Sequence, residues 1–303
     1  IEMKRPENLN ELLKKPAEFL VEAQSYFYYD LFTWINDKSP VFNVSLAAMN
    51  YPIGKEQPDD KVMVSLSRSD GFGRLLEAKA RVEGTAKDEE YRWLTSGRVE
   101  YNNKGLVVRQ WEQYYSDTYD YIDDHESLKT GVSAILYYDP LDRNWQTLTP
   151  KGFLEQNVWD AWQETSYDAN DTMPKSPYWA QNKIGDLDQY TGLGATGDYV
   201  DDSLTEEDKV RLREIAATCA HTTTTDITDN RGLTIIERQT LKNPGSDDAI
   251  PIDTRTTYDI QGRVESTIDA RLYAEGEKPN FRMTYAFGDT VLRTVGVDNG
   301  TQW

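Results

Sequence analysis

Tyr258-Asp259-Ile260-Gln261-Gly262-Arg263 is the stretch that decides the fold. An aspartate that opens a turn can accept hydrogen bonds from backbone N–H groups further along it. A glycine three residues later supplies the positive φ that closes a tight hairpin. The tyrosine before the turn and the arginine after it then begin two paired strands, where ring and guanidinium stem can pack across the ribbon.

The motif recurs along the chain, which makes the fold a repeat rather than a single hairpin. Copies stand at Ser69-Asp70-Gly71-Phe72-Gly73-Arg74, Tyr101-Asn102-Asn103-Lys104-Gly105 and Tyr138-Asp139-Pro140-Leu141-Asp142-Arg143. Weaker copies stand at Thr228-Asp229-Asn230-Arg231-Gly232, Tyr285-Ala286-Phe287-Gly288-Asp289 and Val297-Asp298-Asn299-Gly300. The expected turn residues are therefore Asp70, Gly73 and Arg74; Asn102 and Gly105; Asp139 and Arg143; and Asp259, Gly262 and Arg263. Asp142 replaces the glycine, Leu106 the arginine and Ala286 the aspartate, and each departure is expected to weaken its turn.

Around these turns the chain reads as all-β with two short helices, a ribbon of hairpins without a compact centre of its own. Residues 1–26 read as a helical lead-in, with Leu9, Leu12 and Leu13 as its apolar stripe and Pro16 in a first helical turn. Residues 27–173 read as repeat strands, and 174–221 as a Pro-, Gly- and Asp-rich surface connection. That connection holds a helix near 204–219, whose expected capping box is Ser203 with Glu206. Residues 222–303 return to repeat strands, and the turn chemistry marks no clean domain boundary.

Composition narrows the function. The 303 residues are 38% hydrophobic yet include 19 Tyr and 8 Trp, with a mean hydropathy of -0.72, a mixture suited to half-wet strand faces. A net charge of -19 and a pI of about 4.5 repel a phosphate backbone, and no basic patch offsets them. Cys219 is the only cysteine, so an internal disulfide and a cysteine-based metal cluster are excluded. No apolar run reaches the length of a membrane span, and the opening residues lack a signal-peptide core.

At this point the sequence resembles a known family. The runs Arg92-Trp93-Leu94-Thr95-Ser96-Gly97, Gly131-Val132-Ser133-Ala134-Ile135-Leu136-Tyr137-Tyr138-Asp139-Pro140-Leu141 and Trp162-Gln163-Glu164-Thr165-Ser166-Tyr167-Asp168-Ala169-Asn170-Asp171-Thr172 look like the YD-repeat (Rhs-type) shell of Tc toxin B components. The last is similar to that family's W-x-x-T-x-x-D-x-N-D-T signature, which singles out Trp162, Asp168, Asn170 and Asp171. The resemblance implies a hollow, spiralled β shell, completed by a C component, that encloses a toxic cargo until a pore-forming A component delivers it. It implies a secreted complex, a structural wall segment rather than an enzyme, no cofactor, no nucleic-acid partner and no direct membrane span. The alternative from another class is a carbohydrate-binding or adhesive YD-repeat protein of the cell surface. A glycosidase or ADP-ribosyltransferase ranks below it.

Sharper chemical readings lose to plainer ones. Gly192-Leu193-Gly194-Ala195-Thr196-Gly197 spells a dinucleotide fingerprint but lacks the buried strand before it and the helix after it, so it reads as a loop. Asp123-Asp124-His125-Glu126 offers metal-ligand types that neighbouring loop positions cannot all aim at one ion. His221 reads as a helix-end or packing residue, and Glu275-Gly276-Glu277 lacks the companion residues of an ADP-ribosyltransferase. Asp168, Asn170 and Asp171 read as satisfying backbone groups at a sharp bend, with Trp162 packed beneath them. The acidic balance and scarce aliphatics further predict a wall whose faces are not a dry core, one of them meeting a large water-filled cavity; the resemblance implies that a cargo there, if basic, is held by the acidic wall through diffuse attraction.

Overall fold

Alternation along Phe42-Asn43-Val44-Ser45-Leu46 puts apolar side chains on one side of a strand, and this pattern builds the one sizeable apolar core among the described residues. The computed structural model describes residues 5–20, 23–49, 61–83, 91–123, 132–185, 198–243, 245–246, 248–275 and 278–303. The chain divides into two units, residues 1–135 and 136–303, a division that its turn chemistry does not mark.

The first unit opens with α1 (Leu9–Lys14), capped by the Asn8 side chain on the Glu11 N–H, and α2 (Ala17–Leu20). The helical lead-in ends earlier than expected, because Ser25 and Tyr26 already belong to β1 (Ser25–Asp30). After α3 (Thr33–Asp37) come β2 (Val41–Ala48), β3 (Val62–Ser69), β4 (Leu75–Glu83), β5 (Tyr91–Ser96), β6 (Val99–Tyr101), β7 (Val107–Trp111) and β8 (Tyr114–Ser116). An antiparallel sheet runs β1-β2-β3-β4-β5-β8. Val44 faces Leu66 and Leu46 faces Val64, and these side chains pack with Leu12, Leu13, Phe19 and Leu20 of the two helices. The expectation that no face is dry is therefore corrected for this unit: eight-residue strands with strict alternation supply an aliphatic layer, and two short helices cover it. Across β4 the same face turns ionic, with Glu77 opposite Arg68 and Lys79 opposite Leu66. Farther along, β6 and β7 form a hairpin, and β9 (Ser133–Tyr138) joins β7 through Ser133–Ile135.

The second unit is a ribbon in which each strand pairs antiparallel with its successor. Its strands are β10 (Asn144–Leu148), β11 (Leu154–Trp159), β12 (Gln163–Tyr167), β13 (Thr224–Thr228), β14 (Thr234–Lys242), β15 (Ala249–Tyr258), β16 (Val264–Ile268), β17 (Phe281–Tyr285), β18 (Val291–Gly296) and β19 (Gly300–Gln302). The connection between β12 and β13 carries α4 (Pro177–Gln181) and α5 (Glu206–Cys219). Met173, Trp179, Ile184 and Ala216 give it a small core of its own, so its described part is more than a surface excursion. The capping box of α5 is Thr205 with Asp208, not Ser203 with Glu206; Ser203 instead bonds the Asp201 carboxylate. α6 (Ala270–Glu275) follows β16. The protein is thus mostly open antiparallel sheet, as expected, with further short helices at strand ends where the sequence gives two.

Candidate functional site

The repeat turns share one hydrogen-bond plan. At Asp259 the Oδ1 atom accepts from the N–H groups of Gln261 and Arg263, both at 2.9 Å, and Oδ2 accepts from Arg263 Nε at 2.7 Å. The main chain closes the loop through Gly262 N–H to the Asp259 carbonyl, with Gly262 at φ 83°. Asp70 and Asp139 repeat the plan with Arg74 and Arg143, again at 2.7 Å from Nε. Asn102 keeps the two backbone acceptances, from Lys104 and Leu106, without an arginine. Asp229 recruits Arg231 from inside the turn. Asp142 stands at φ 65° in the glycine position, and its turn keeps the full hydrogen-bond set. Ala286 provides no carboxylate, but its N–H still reaches the Thr290 carbonyl.

These carboxylates are tuned by the turn itself. The backbone N–H and guanidinium of Arg263 hold Asp259 below the usual carboxylate range. At Asp70 and Asp139 desolvation pulls upward and is outweighed by the N–H and guanidinium donors of Arg74 and Arg143.

Arg74, Arg143 and Arg263 each rest on a ring of the following hairpin, and Arg231 instead donates to the Asp259 carbonyl of the following hairpin. Arg74 lies 4.3 Å from the Tyr101 ring, Arg143 4.3 Å from Trp159 and Arg263 4.5 Å from Tyr285. The tyrosine hydroxyls return the tie: Tyr101 donates to the Leu75 carbonyl, Tyr258 to Thr234 and Tyr285 to Val264. Arg263 also donates to the carbonyls of Ala286 and Gly288. Consecutive repeats are therefore interlocked, and the arginine and tyrosine carry information about the neighbouring turn as well as their own.

The 168–172 bend is a second polar knot. Asp168 Oδ1 accepts from the N–H groups of Asn170 and Asp171, at 2.8 and 3.0 Å. Asp171 Oδ1 reaches across the chain to the N–H and hydroxyl of Thr222, at 2.8 and 3.0 Å, tying the end of β12 to the start of β13. The buried Thr172 hydroxyl donates to the carbonyls of Leu154 and Asp168. Trp162 is not part of this knot. It sits past the Asp160 turn at the other end of β12, with its side chain 57% exposed, so the packing expected beneath the bend is absent. The whole length of β12, Gln163–Tyr167, separates it from Asp168.

Beside the bend lies a polar cleft of about 290 Å³ lined by Glu155, Asn157, Ser166, Asp168, Asp171 and Thr224, among others. Burial, reinforced by Asp168 and Asp171, pushes the Cys219 thiol up, away from a reactive thiolate. Among the described residues no group of His, Cys, Asp and Glu has the geometry of a metal site, and no helix is long and apolar enough to cross a membrane. The 192–197 glycine run, Asp124-His125-Glu126 and the Gly276-Glu277 pair lie outside the described residues.

No protein-family model and no curated protein matches the chain. Solved structures do. The TcdB2-TccC3 crystal structure is similar over 99% of this chain and 13% of that chain, with a TM-score of 0.74 and 24% identity. A TcdB2-TccC3-Cdc42 structure is similar over 87% of this chain and 12% of that chain, at TM-score 0.65 and 26% identity. A Photorhabdus luminescens Tc holotoxin pore is similar over 88% of this chain and 12% of that chain, at TM-score 0.67 and 25% identity. This chain therefore spans a small fraction of the proteins whose fold it shares. The resemblance to a Tc toxin shell, read first from the turns, holds in three dimensions over nearly the whole sequence.

Proposed function

We propose that this chain, a YD-repeat segment with the fold of Tc toxin shells, serves as a stretch of wall in a toxin-enclosing shell. The observation that carries the reading is the interlocked ribbon. Arg263 on Tyr285 and Tyr285 on the Val264 carbonyl make each hairpin a bracket for the next, which suits an extended wall better than a self-contained catalytic domain. In this reading the partners are a C component that completes the shell, the cargo inside it and a pore-forming A component, in a secreted complex. Its contribution is architectural: Asp70, Asp139 and Asp259 close turns, and Asp168, Asn170 and Asp171 close the bend.

The test is protection. The full-length protein containing this chain, co-expressed with a C-type partner, is expected to shield the partner's cleaved toxic region from added protease until the complex is unfolded. Rapid digestion of that region inside an intact complex would overturn the wall reading.

A further inference from the structure

Strand register gathers cations on the core side of the first sheet, because residues directly opposite one another project to the same face. Glu77 stands opposite Arg68, Lys79 opposite Thr95 and Thr95 opposite Tyr114, and Arg98 enters from the turn between β5 and β6. The side chains of Arg68, Lys79 and Arg98 are at most 6% exposed, and Glu77 is the buried carboxylate they share. One of its oxygens takes Arg68 at 3.1 Å and the other Arg98 at 2.9 Å, with Lys79 farther off at 3.7 Å. Asp120 and Asp123, on the segment after β8, are exposed.

Carbonyl groups take up part of the imbalance. Lys79 donates to the carbonyls of Thr118 and Asp120, and Arg98 to that of Ile122, so the same cations strap the segment after β8 to the sheet. Carbonyl dipoles solvate a cation without cancelling its charge, and three positive groups around one carboxylate leave a positive surplus where water does not reach. Desolvation outweighs Glu77 and pulls the Lys79 ammonium below its ordinary range, with Arg68 and Arg98 adding to the effect. Two donors in this cluster also go unused. Thr95 Oγ1 and Arg98 Nε are buried without a hydrogen-bond partner, although the Tyr114 hydroxyl lies close to both side chains. The rings of Trp111 and Tyr121 rest against the Arg98 guanidinium, at 5.1 and 5.0 Å.

We propose that the first unit binds a small monovalent anion, of the size and charge of chloride, among Thr95, Arg98 and Tyr114. These groups offer two O–H donors and one N–H donor, all of the kind an anion accepts from, and a single negative charge offsets part of the surplus. A metal cation would be repelled by the same field. Phosphate or sulfate would bring more oxygens into the cluster than there are donors to meet them. Because Arg98 also holds the Ile122 carbonyl, occupancy steadies the segment from Thr118 to Ile122 along with the sheet. The inference is independent of the wall reading.

The experiment compares thermal melts of the 303-residue chain in sodium chloride and in sodium gluconate at matched ionic strength, which holds general screening constant. Chloride is expected to raise the melting temperature by about 2–4 °C more than the bulky gluconate, and to do so saturably. Thr95→Val keeps the branched shape and loses the donor, so it should abolish the difference between the salts. Lys151→Gln, which removes an exposed cation from the second unit, should leave that difference intact. Crystals of the unmodified chain grown in sodium bromide give a readout that does not depend on how well a variant folds: an anomalous peak is expected beside Thr95 Oγ1 and Arg98 Nε. A water molecule would serve the same donors equally in every salt. Identical melts in the two salts, a difference that survives Thr95→Val, or bromide crystals without a peak at that position would each overturn the proposal.

Discussion

At the scale of single residues, the repeat depends on backbone positions that few side chains tolerate. Gly262 holds φ 83°, and a Cβ there would meet only Leu233 Cδ1 at an ordinary 3.6 Å, so the cost of a substitution is conformational rather than steric crowding. Gly262→Val is expected to destabilise the second unit by about 1–3 kcal/mol. Gly71 is the internal comparison: it lacks positive φ and has open space around its would-be Cβ, so Gly71→Ala should change stability by only about 0.5 kcal/mol or less. Matched urea melts decide it, and equal losses would remove the turn argument. Asp142 adds a lesson about substitution. A short polar side chain tolerates the left-handed region, so the aspartate at φ 65° keeps a turn that its sequence pattern presents as weakened.

At the scale of elements, two polar assemblies hold pieces of chain that hydrophobic packing does not. Asp171 ties β12 to β13 through Thr222, and Asp171→Ala is expected to cost about 1–3 kcal/mol in a denaturant melt, because two donors lose a charged acceptor. Asp171→Asn, which retains an acceptor oxygen for Thr222, should cost less; the opposite order would point to a role beyond the bend. In the first unit Glu77 is fully buried, with Arg68 at 3.1 Å, Arg98 at 2.9 Å and Lys79 at 3.7 Å. Removing that carboxylate strands several buried cations together, so Glu77→Ala is expected to destabilise by about 3–5 kcal/mol. The exposed Lys15–Glu18 pair makes the contrast, since Glu18→Gln should shift stability by about 0.5 kcal/mol or less.

At the scale of the whole molecule, the surplus of negative charge is a standing cost to the folded state. Asp226 shows where it concentrates. Its carboxyl sits above the ordinary value through burial and then through Glu237 and Glu164. A group raised in the folded state contributes its stability below the unfolded pKa and loses it as pH rises through the folded pKa. Asp226→Asn should therefore stabilise the chain at neutral pH, with the gain shrinking as pH falls toward the ordinary carboxylate value near 3.9. Thermal melts across that range test the sign, and a variant that is less stable at pH 7 would contradict the charge argument.

The sequence by itself determined the hairpin rhythm, the turn positions and the all-β class, because an Asx turn and a following positive-φ residue are local chemistry written within five residues, as at Asp259 and Gly262. It also gave the Asp168–Asp171 bend, whose bonds are mostly to its own backbone. What only the tertiary structure decided is which groups meet across the chain. Arg263 finds the ring of the next repeat, Asp171 finds Thr222 beyond a long connection, and Glu77 gathers Arg68 and Arg98. The facing carboxylates of β12, β13 and β14 belong there too. Glu164, Asp226 and Glu237 are scattered in sequence, and register alone lines them up, since a slip of one residue would send each to the opposite face.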